Sequence, residues 1–406
     1  MRRAKSTTLG MALSLAAAVA AGLAPVALGA VPDEALDALR PGAGTQEFPI
    51  AGPPHVFEFP RDHGPHPDYR QEWWYLTGNL TSSGGERFGF ELTFFRVALT
   101  PRESGLARAA AAASPDASAP TGASAGQSAW RARQVYIAHF AITDVARNTF
   151  RFAQKYEREA LGLAGAQAEP FVRVWLDDWE IGGSPNWTVH ARQRGYQLRL
   201  DVQGLSAPIL NGDQGLSVKA SDPGAASFYY SIPRVQVRGQ LIRDTVPTEV
   251  NGVAWLDREW GSGSLGSNEA GWDWFALQLD DGSALMFYAM RNKDGSRESH
   301  SAGTWVDADG RARSVASSDI DIDVGDHWDS PRGGRYPSRW RVRVAALALD
   351  VDVKPVLANQ ELGTNPRYWE GAVDVSGVHG ARKAAGRGYV ELVGYAKERV
   401  AARGGR

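Results

Sequence analysis

The segment WLDREW, at residues 255–260, contains the densest group of potentially reactive side chains in the sequence. In an extended strand, Asp257 and Glu259 lie on one face together with Trp255, and Arg258 points to the other face. Two neighbouring carboxyl groups can separate their pKa values, so that one stays protonated as an acid while the other acts as a base. The alternative is a surface ion pair or a structural carboxylate that binds backbone amides. The flanking tryptophans favour partial burial, so the segment is a candidate acid–base site.

A further acidic residue, Glu72, precedes two adjacent tryptophans, and Arg96 ends the next apolar segment. Glu72 is a candidate catalytic carboxylate, and the alternative is a partly buried ion pair with Arg96. His139 lies inside the apolar segment YIAHFAITD. A histidine in such a strand is more often a core residue than a catalyst, but it titrates near neutrality. The candidate catalytic residues are therefore Asp257, Glu259, His139 and Glu72.

Motifs for metals and cofactors are weak. The loop HGPH at residues 63–66, beside Asp62 and Asp68, carries side chains that can bind a divalent metal, but its spacing fits no metal-site pattern and favours an ordered structural loop. Residues 261–266 fit G-x-G-x-x-G, yet they lead into a strand rather than the helix that a dinucleotide site needs. The chain has no cysteine, which excludes thiol nucleophiles and thiolate metal sites. We predict no metal and no cofactor.

The composition is that of a globular chain, with 406 residues, 43% hydrophobic residues and a formal charge of −2. Such a charge gives no reason to expect nucleic acid as a partner. Fourteen tryptophans favour a large core or an aromatic-lined cavity for an apolar ligand.

The N-terminus predicts export. Arg2, Arg3 and Lys5 precede an apolar run that ends near residue 28, and small residues follow up to Ala30. We interpret residues 1–30 as a secretory signal and 31–49 as a linker, which predicts a periplasmic or secreted protein without stable membrane insertion after cleavage. The alternative is an uncleaved anchor, for which the apolar run is rather short.

The positioning elements are predicted to be strands. Short segments rich in Val, Tyr, Trp, Phe and Thr alternate with turns rich in Gly, Asp, Asn and Pro, and long amphipathic helices are scarce. Residues 105–129, rich in Ala, Ser and Pro, predict a disordered loop between two strands. The sequence therefore indicates an all-β fold.

The sequence also contains an internal repeat. EWWYLTGNLTSSGGERFGFELTFFR, from Glu72, matches WDWFALQLDDGSALMFYAMR, from Trp272, and YYSIPRVQVRG, from Tyr229, matches YWEGAVDVSG, from Tyr368. The two elements come in the same order in both halves. We predict two tandem β-domains, at residues 50–246 and 247–400.

Several segments together resemble a known family: EWWYLTGNL, AHFAITD, AWLDREWGS, GWDWFALQLDDGSALMFY and YWEGAVDVSG…GYVELVGY. They resemble the AttH-like, lipocalin-like proteins that include the bacterial carotenoid 1,2-hydratases, and in particular exported members described as predicted secreted hydrolases. The resemblance covers nearly all of the chain after residue 50 outside the loop at 105–129. It implies two tandem lipocalin-like antiparallel β-barrels and a small apolar ligand, because such barrels enclose cavities.

The resemblance also implies a reaction, the addition of water to an alkene of an isoprenoid, polyene or lipid-like substrate without a cofactor. Asp257 would be the acid, and Glu259 or His139 would direct the water. The implied substrate-binding residues, which include an aromatic wall able to stabilise a carbocation, are Trp74, Arg96, Trp255, Trp272, Trp274, Tyr288 and Trp369.

Three functions remain open from the sequence. The protein is an enzyme for hydration or hydrolysis, a non-catalytic periplasmic carrier of hydrophobic ligands, or a protein whose carboxylates only clamp the two barrels together.

Overall fold

The computed structural model describes residues 48–101, 133–184 and 186–396. The predicted signal segment, the loop at 105–129 and all but the last two residues of the predicted linker lie outside these ranges. Within them, no helix is long and apolar enough to cross a membrane.

The all-β prediction is confirmed, since strands make up 61% of the structure and the described residues contain no α-helix. The helical turns in these ranges are three short 3-10 turns, at Arg61–His63, Ser317–Asp319 and Ala345–Leu347. The strands are Gln71–Ser82 (β1), Arg87–Ala98 (β2), Gln134–Asp144 (β3), Thr149–Arg158 (β4), Ala164–Gln167 (β5), Arg173–Leu176 (β6), Trp179–Gly182 (β7), Thr188–Gln193 (β8), Tyr196–Val202 (β9), Ile209–Leu210 (β10), Leu216–Val218 (β11), Ala226–Arg243 (β12), Val246–Gly263 (β13), Glu269–Leu279 (β14), Ala284–Asn292 (β15), Ala302–Val306 (β16), Ala312–Ala316 (β17), Asp321–Asp329 (β18), Arg335–Val344 (β19), Leu349–Pro355 (β20), Glu361–Leu362 (β21), Tyr368–His379 (β22) and Arg382–Leu392 (β23).

The strands form two antiparallel sheets, one a nearly closed barrel and the other a half-barrel. The order in the first sheet is β4-β3-β2-β1-β13-β12-β9-β8-β7-β6-β5, with β10 and β11 paired to β12. The order in the second sheet is β17-β16-β15-β14-β23-β22-β20-β19-β18, with β21 paired to β22. The prediction of two lipocalin-like barrels in tandem is confirmed.

The strand order explains the sequence repeat. When the two sheets are aligned, the hairpin β1-β2 corresponds to β14-β15, and β12 corresponds to β22. These are the two element pairs that the repeat matched. The chain passes from one sheet to the other between Gly263 and Glu269, whereas the predicted boundary at 246–247 falls at the start of β13, which still belongs to the first sheet. The division into domains at that position stays a prediction.

Side chains alternate between two buried environments along the central strands. On β1, Trp74 and Leu76 pack inside the first barrel, and Tyr75 packs outside it against the second sheet. Large buried side chains fill the interior of each barrel, and a third apolar cluster lies between the barrels. The central strands are therefore buried on both faces, as their nearly continuous apolar sequences require.

The two sheets approach each other closely at Gly89. A Cβ atom at this position would lie 2.7 Å from Ala372 Cβ and 2.7 Å from the Tyr389 hydroxyl oxygen. Asn79 Nδ2 donates to the Gly388 carbonyl across the same boundary, at 3.1 Å. The absence of a side chain on Gly89 thus permits this close approach of the two sheets.

Candidate functional site

A cavity of about 110 Å³ lies between the two barrels. On this scale one water needs about 10 to 15 Å³, so the space holds roughly eight waters or a molecule of roughly ten non-hydrogen atoms. Its wall is mainly aromatic and contains several carboxyl groups. The lining residues are Trp73, Tyr75, Glu91, Phe95, Lys219, Tyr229, Asp257, Glu259, Ser264, Trp272, Trp274, Tyr288, Met290, Tyr368 and Glu391.

Strand β13 contributes the two acidic groups that the sequence singled out. Asp257 pairs across the sheet with Tyr75, and Glu259 pairs with Trp73, so all four share the face that points away from the first barrel's interior. Arg258 lies on the opposite face and is fully buried. The predicted arrangement of the two carboxyl groups on one strand face is confirmed by this register.

Each carboxyl oxygen of Asp257 accepts a hydrogen bond. The Tyr229 hydroxyl donates to Oδ2 at 2.5 Å, and Trp255 Nε1 donates to Oδ1 at 2.6 Å. Trp274 Nε1 donates in turn to the Tyr229 hydroxyl oxygen at 3.1 Å. Burial raises the pKa of Asp257 to about 7, although hydrogen bonds from Ser231, Tyr229 and Trp255 act in the opposite direction. Asp257 is therefore a carboxyl group that carries a proton through much of the neutral range.

Glu259 has a different environment from Asp257. Lys219 Nζ lies 3.2 Å from Glu259 Oε1, which also accepts a hydrogen bond from the Ser227 hydroxyl. Burial alone lowers the pKa of Lys219, but the charge and hydrogen bond of Glu259, together with the charges of Tyr288 and Asp257, outweigh it and the net pKa is raised. The ammonium group also lies 4.0 Å from the centre of the Tyr288 ring. The pair thus places a carboxylate bound by an ammonium group beside Asp257, whose pKa is raised.

The second sheet supplies the opposite wall. Trp272 Nε1 donates to Glu391 Oε2 at 3.0 Å, and burial raises the pKa of Glu391 to about 7 against that hydrogen bond. The Trp274 ring packs against Tyr75 with ring centres 5.0 Å apart and against Trp255 at 6.2 Å. This wall offers aromatic faces next to Asp257.

The sequence-predicted residues divide between this cavity and the barrel interiors. Asp257, Glu259, Trp272, Trp274 and Tyr288 line the cavity, and Trp255 touches it through its bond to Asp257.

His139 stands behind the cavity wall. Its Nδ1 lies 2.6 Å from the hydroxyl of Tyr368, which does line the cavity, and burial lowers the pKa of His139 to about 3. His139 is therefore neutral and can affect the cavity only through its hydrogen bond to Tyr368.

Trp74, Arg96, Glu72 and Trp369 lie away from the cavity, because they occupy inward-facing positions on their strands. Trp74 packs in the first barrel beneath Arg258, whose guanidinium is 3.9 Å from the indole centre. Trp369 packs in the second barrel and donates to the Ala358 carbonyl. In both cases the preceding residue, Trp73 or Tyr368, lines the cavity instead.

Glu72 forms the expected ion pair with Arg96 and a second one with Arg258, at 3.1 Å. Burial by itself raises the pKa of Glu72, but Arg96, His66 and Arg258 outweigh it and hold the pKa well below its usual range. Asp257 and Glu72 therefore lie on opposite faces of one sheet and belong to separate sites.

The histidine loop packs on this inner cluster. His66 stacks on Trp260 with ring centres 3.6 Å apart, and its backbone N–H donates to Glu72. No group of three or more His, Asp or Glu side chains is arranged to hold a metal within the described ranges.

Comparison with models of protein families identifies the family of this chain. The model of the AttH-like family matches residues 50–395. The chain belongs to the AttH-like family.

Solved structures give the same fold. A crystal structure described as AttH from Nitrosomonas europaea is 33% identical, covers 86% of this chain and 100% of its own, and superposes with a TM-score of 0.71. Kievitone hydratase from Nectria haematococca is 12% identical, covers 87% and 96% respectively, and has a TM-score of 0.62. No curated protein matched.

The residues of this site that sequence reasoning missed include Tyr75, Glu91, Lys219, Tyr229, Ser264 and Tyr368. One signal was present for Glu91, because it interrupts the otherwise apolar run FGFELTFF. Lys219 follows a three-residue strand in an irregular segment, where no periodicity could place it.

Proposed function

We propose that this AttH-like protein is a hydratase that adds water to an alkene of an apolar, isoprenoid or lipid-like ligand held between the barrels, without a redox cofactor. The observation that carries the proposal is Asp257, a buried carboxyl group with a pKa of about 7 in an aromatic wall. Such a group can donate a proton near neutral pH, which alkene hydration requires. The proposal includes export to the periplasm or the medium, supported by the apolar N-terminal segment.

The residues of the cavity divide the reaction into two proton transfers. The Asp257 proton forms a new C–H bond as the alkene π bond breaks, and a carbocation remains on the adjacent carbon. Tyr229 and Trp255 stabilise the resulting carboxylate through their hydrogen bonds. The faces of Trp272 and Trp274 stabilise the positive charge.

Water then completes the addition. Its oxygen forms the C–O bond, and its proton passes to the Glu259 carboxylate beside Lys219. A proton returns from Glu259 to Asp257, two positions along the same strand face, before the next turnover. His139 does not fit the water-directing role, since its two ring nitrogens are engaged by Tyr368 and Gln154.

The fold adds indirect support. Kievitone hydratase, a hydratase by name, has the same fold, although at 12% identity the likeness extends to the fold alone. Hydrolysis is less well supported by the geometry, because His139 contacts a tyrosine and a glutamine rather than a serine hydroxyl.

The experiment is incubation with acyclic isoprenoid alkenes in ¹⁸O-labelled water, followed by mass spectrometry of the products. We expect ¹⁸O in the alcohol formed by the wild type, and Asp257→Asn lowers the rate by about 10² to 10⁴ while ligand binding is kept. Glu259→Gln also lowers the rate. A variant of a distant surface carboxylate, Asp350→Asn, is the matched control and keeps the wild-type rate.

The carrier hypothesis makes a different prediction. The neutral carboxyl groups of Asp257 and Glu391 would then serve only as a wall for an apolar cargo. Bound ligand without ¹⁸O incorporation in the wild type would favour the carrier and contradict the hydratase. A fall in the thermal midpoint of Asp257→Asn with unchanged turnover would instead favour a purely structural role.

A further inference from the structure

Glu91 faces the cavity with one carboxyl oxygen that has no protein partner among the described residues. The side chain is fully buried in β2, and its Oε2 atom has no hydrogen bond, whereas Oε1 accepts one from the Tyr368 hydroxyl at 3.0 Å. A buried polar atom left unpaired is costly. Its position in the cavity wall therefore calls for an explanation.

A directed chain of hydrogen bonds fixes which oxygen of Glu91 carries the proton. Gln154 Nε2 donates to His139 Nε2 at 2.6 Å and to the Asn365 carbonyl at 3.2 Å, so the imidazole proton is assigned to Nδ1. Nδ1 then donates to the Tyr368 hydroxyl oxygen at 2.6 Å, and that hydroxyl donates to Glu91 Oε1. Oε1 is thus an acceptor, and a proton on Glu91 belongs on Oε2.

The charge state agrees with this assignment. Burial, together with the nearby carboxyl group of Glu391, raises the pKa of Glu91 to about 8, against hydrogen bonds from Tyr368 and Thr93 that lower it. At neutral pH Glu91 is therefore mainly a carboxylic acid whose O–H faces the cavity and lacks an acceptor. The hydroxyl of Thr93, two residues along the same strand face, lies close enough to lower the pKa of Glu91 but likewise makes no hydrogen bond of normal geometry, so it provides an internal comparison.

We propose that Glu91 binds an oxygen atom of the ligand, so that the cavity takes an amphiphilic alkene with a hydroxyl or carbonyl oxygen rather than a plain hydrocarbon. This inference rests on the proposed function for the use of the cavity. β2 lies two strands away from β13, and Glu91 and Asp257 pair with Thr77 and Tyr75 of β1, two residues apart. The two backbone positions are therefore separated by about 12 Å. A ligand of roughly ten non-hydrogen atoms spans that distance, with its oxygen at Glu91 and its alkene at Asp257.

The test compares two probes that differ by one hydroxyl group. Geraniol is an acyclic ten-carbon alcohol, and 2,6-dimethylocta-2,6-diene has the same carbon skeleton without oxygen. Quenching of tryptophan fluorescence gives both dissociation constants for the full-length protein, because Trp272 and Trp274 line the cavity. We expect the wild type to bind geraniol at least tenfold more tightly than the hydrocarbon.

Two substitutions of Glu91 separate hydrogen bonding from packing. Glu91→Gln keeps both functions, since the amide oxygen accepts from Tyr368 and the amide N–H donates to the ligand, so the preference stays within about threefold of the wild type. Glu91→Leu removes the donor and abolishes the preference while hydrocarbon binding stays. Thr93→Val is the matched control and retains the preference. If Glu91→Leu does not fold, Tyr368→Phe removes the bond that fixes the proton and should reduce the preference at least threefold.

Several results would overturn the inference. These are equal affinities of the wild type for the two probes, binding of neither probe, an unchanged preference in Glu91→Leu or in its substitute Tyr368→Phe, or the same loss in Thr93→Val. Affinity and turnover are separate readouts, so the proposed reaction fails separately. A kept geraniol preference without ¹⁸O incorporation would contradict hydration alone.

Discussion

At the scale of single residues, the two faces of one sheet carry buried carboxyl groups whose pKa values are shifted in opposite directions. Glu72 is ionised inside the first barrel between two guanidinium groups. Asp257, on the other face of the same sheet, has a raised pKa because burial is not balanced by a cation of its own. The difference comes from the partners that each strand face meets, since both side chains are nearly inaccessible to water.

The first prediction concerns Glu72. Glu72→Gln leaves Arg96 and Arg258 buried without a counter-charge, and the free energy of unfolding should fall by about 3 to 5 kcal/mol. Urea unfolding measures the loss, while the hydration rate of the folded variant should remain within about twofold of the wild type. Asp350→Asn, which breaks an exposed pair with Arg341, is the control and should unfold like the wild type. Loss of turnover in folded Glu72→Gln would restore Glu72 as a catalytic candidate.

At the scale of elements, the side chains on the two faces of the central strands have different roles. The inner positions of β1, β2 and β13 build the barrel core, and the outer positions build the cavity wall. The position of the second sheet is set where these outer faces meet, for example at Tyr75, which donates to Glu370 at 2.6 Å. The width of the cavity therefore depends on how closely the two sheets pack.

A substitution at Gly89 tests whether the width of the cavity depends on how closely the two sheets pack. Gly89→Ala puts a methyl group 2.7 Å from both Ala372 Cβ and the Tyr389 hydroxyl oxygen, and we expect a loss of about 1 to 3 kcal/mol in the free energy of unfolding. Relaxation of the sheets should also weaken ligand binding. Gly52→Ala is the control, because no atom lies within 4 Å of the new Cβ. An unfolding midpoint for Gly89→Ala equal to that of the control would show that the contact is not tight.

At the scale of the whole molecule, the boundary between the barrels contains four acidic side chains whose pKa values are raised by burial. Asp257 and Glu91 come from the first sheet, and Glu370 and Glu391 come from the second. Burial raises the pKa of each of the four. The association of the two barrels is thereby coupled to protonation.

This coupling predicts a pH dependence of stability. The folded protein keeps protons on Asp257 and Glu391 up to about pH 7, whereas the unfolded chain loses them near pH 4. Because these carboxyl groups bind more protons in the folded state, their contribution to stability is largest at the acid end and falls as the pH rises from about 5 to 8. The buried neutral His63 and His139 oppose this fall below about pH 6.5, so the fall is steepest above that pH. Thermal midpoints at about pH 5 and about pH 8 measure the effect. Asp257→Asn should flatten the dependence, and a midpoint that rises with pH would contradict the prediction.

The sequence predicted the larger features because each of them depends on a residue pattern that extends over many positions. The all-β fold, the repeat and the common face of Asp257 and Glu259 follow from period-two alternation and turn residues. The sequence could not show whether Trp73 or Trp74 lines the cavity, since both faces of β1 carry aromatic side chains. The expected enclosure of the ligand by a barrel also differs from the structure, because large side chains fill both interiors and leave the cavity between them.

The two-faced strand β13 has a consequence for protein engineering. Its even-numbered side chains from Ala254 to Trp260 hold the barrel together, whereas Asp257 and Glu259 line the cavity and Trp255 packs in the cluster between the barrels. A library randomised only at the odd positions, together with their cross-strand partners Trp73, Tyr75 and Thr77, would sample new selectivities on an unaltered scaffold. A library of equal size at the even positions would yield mainly unfolded variants.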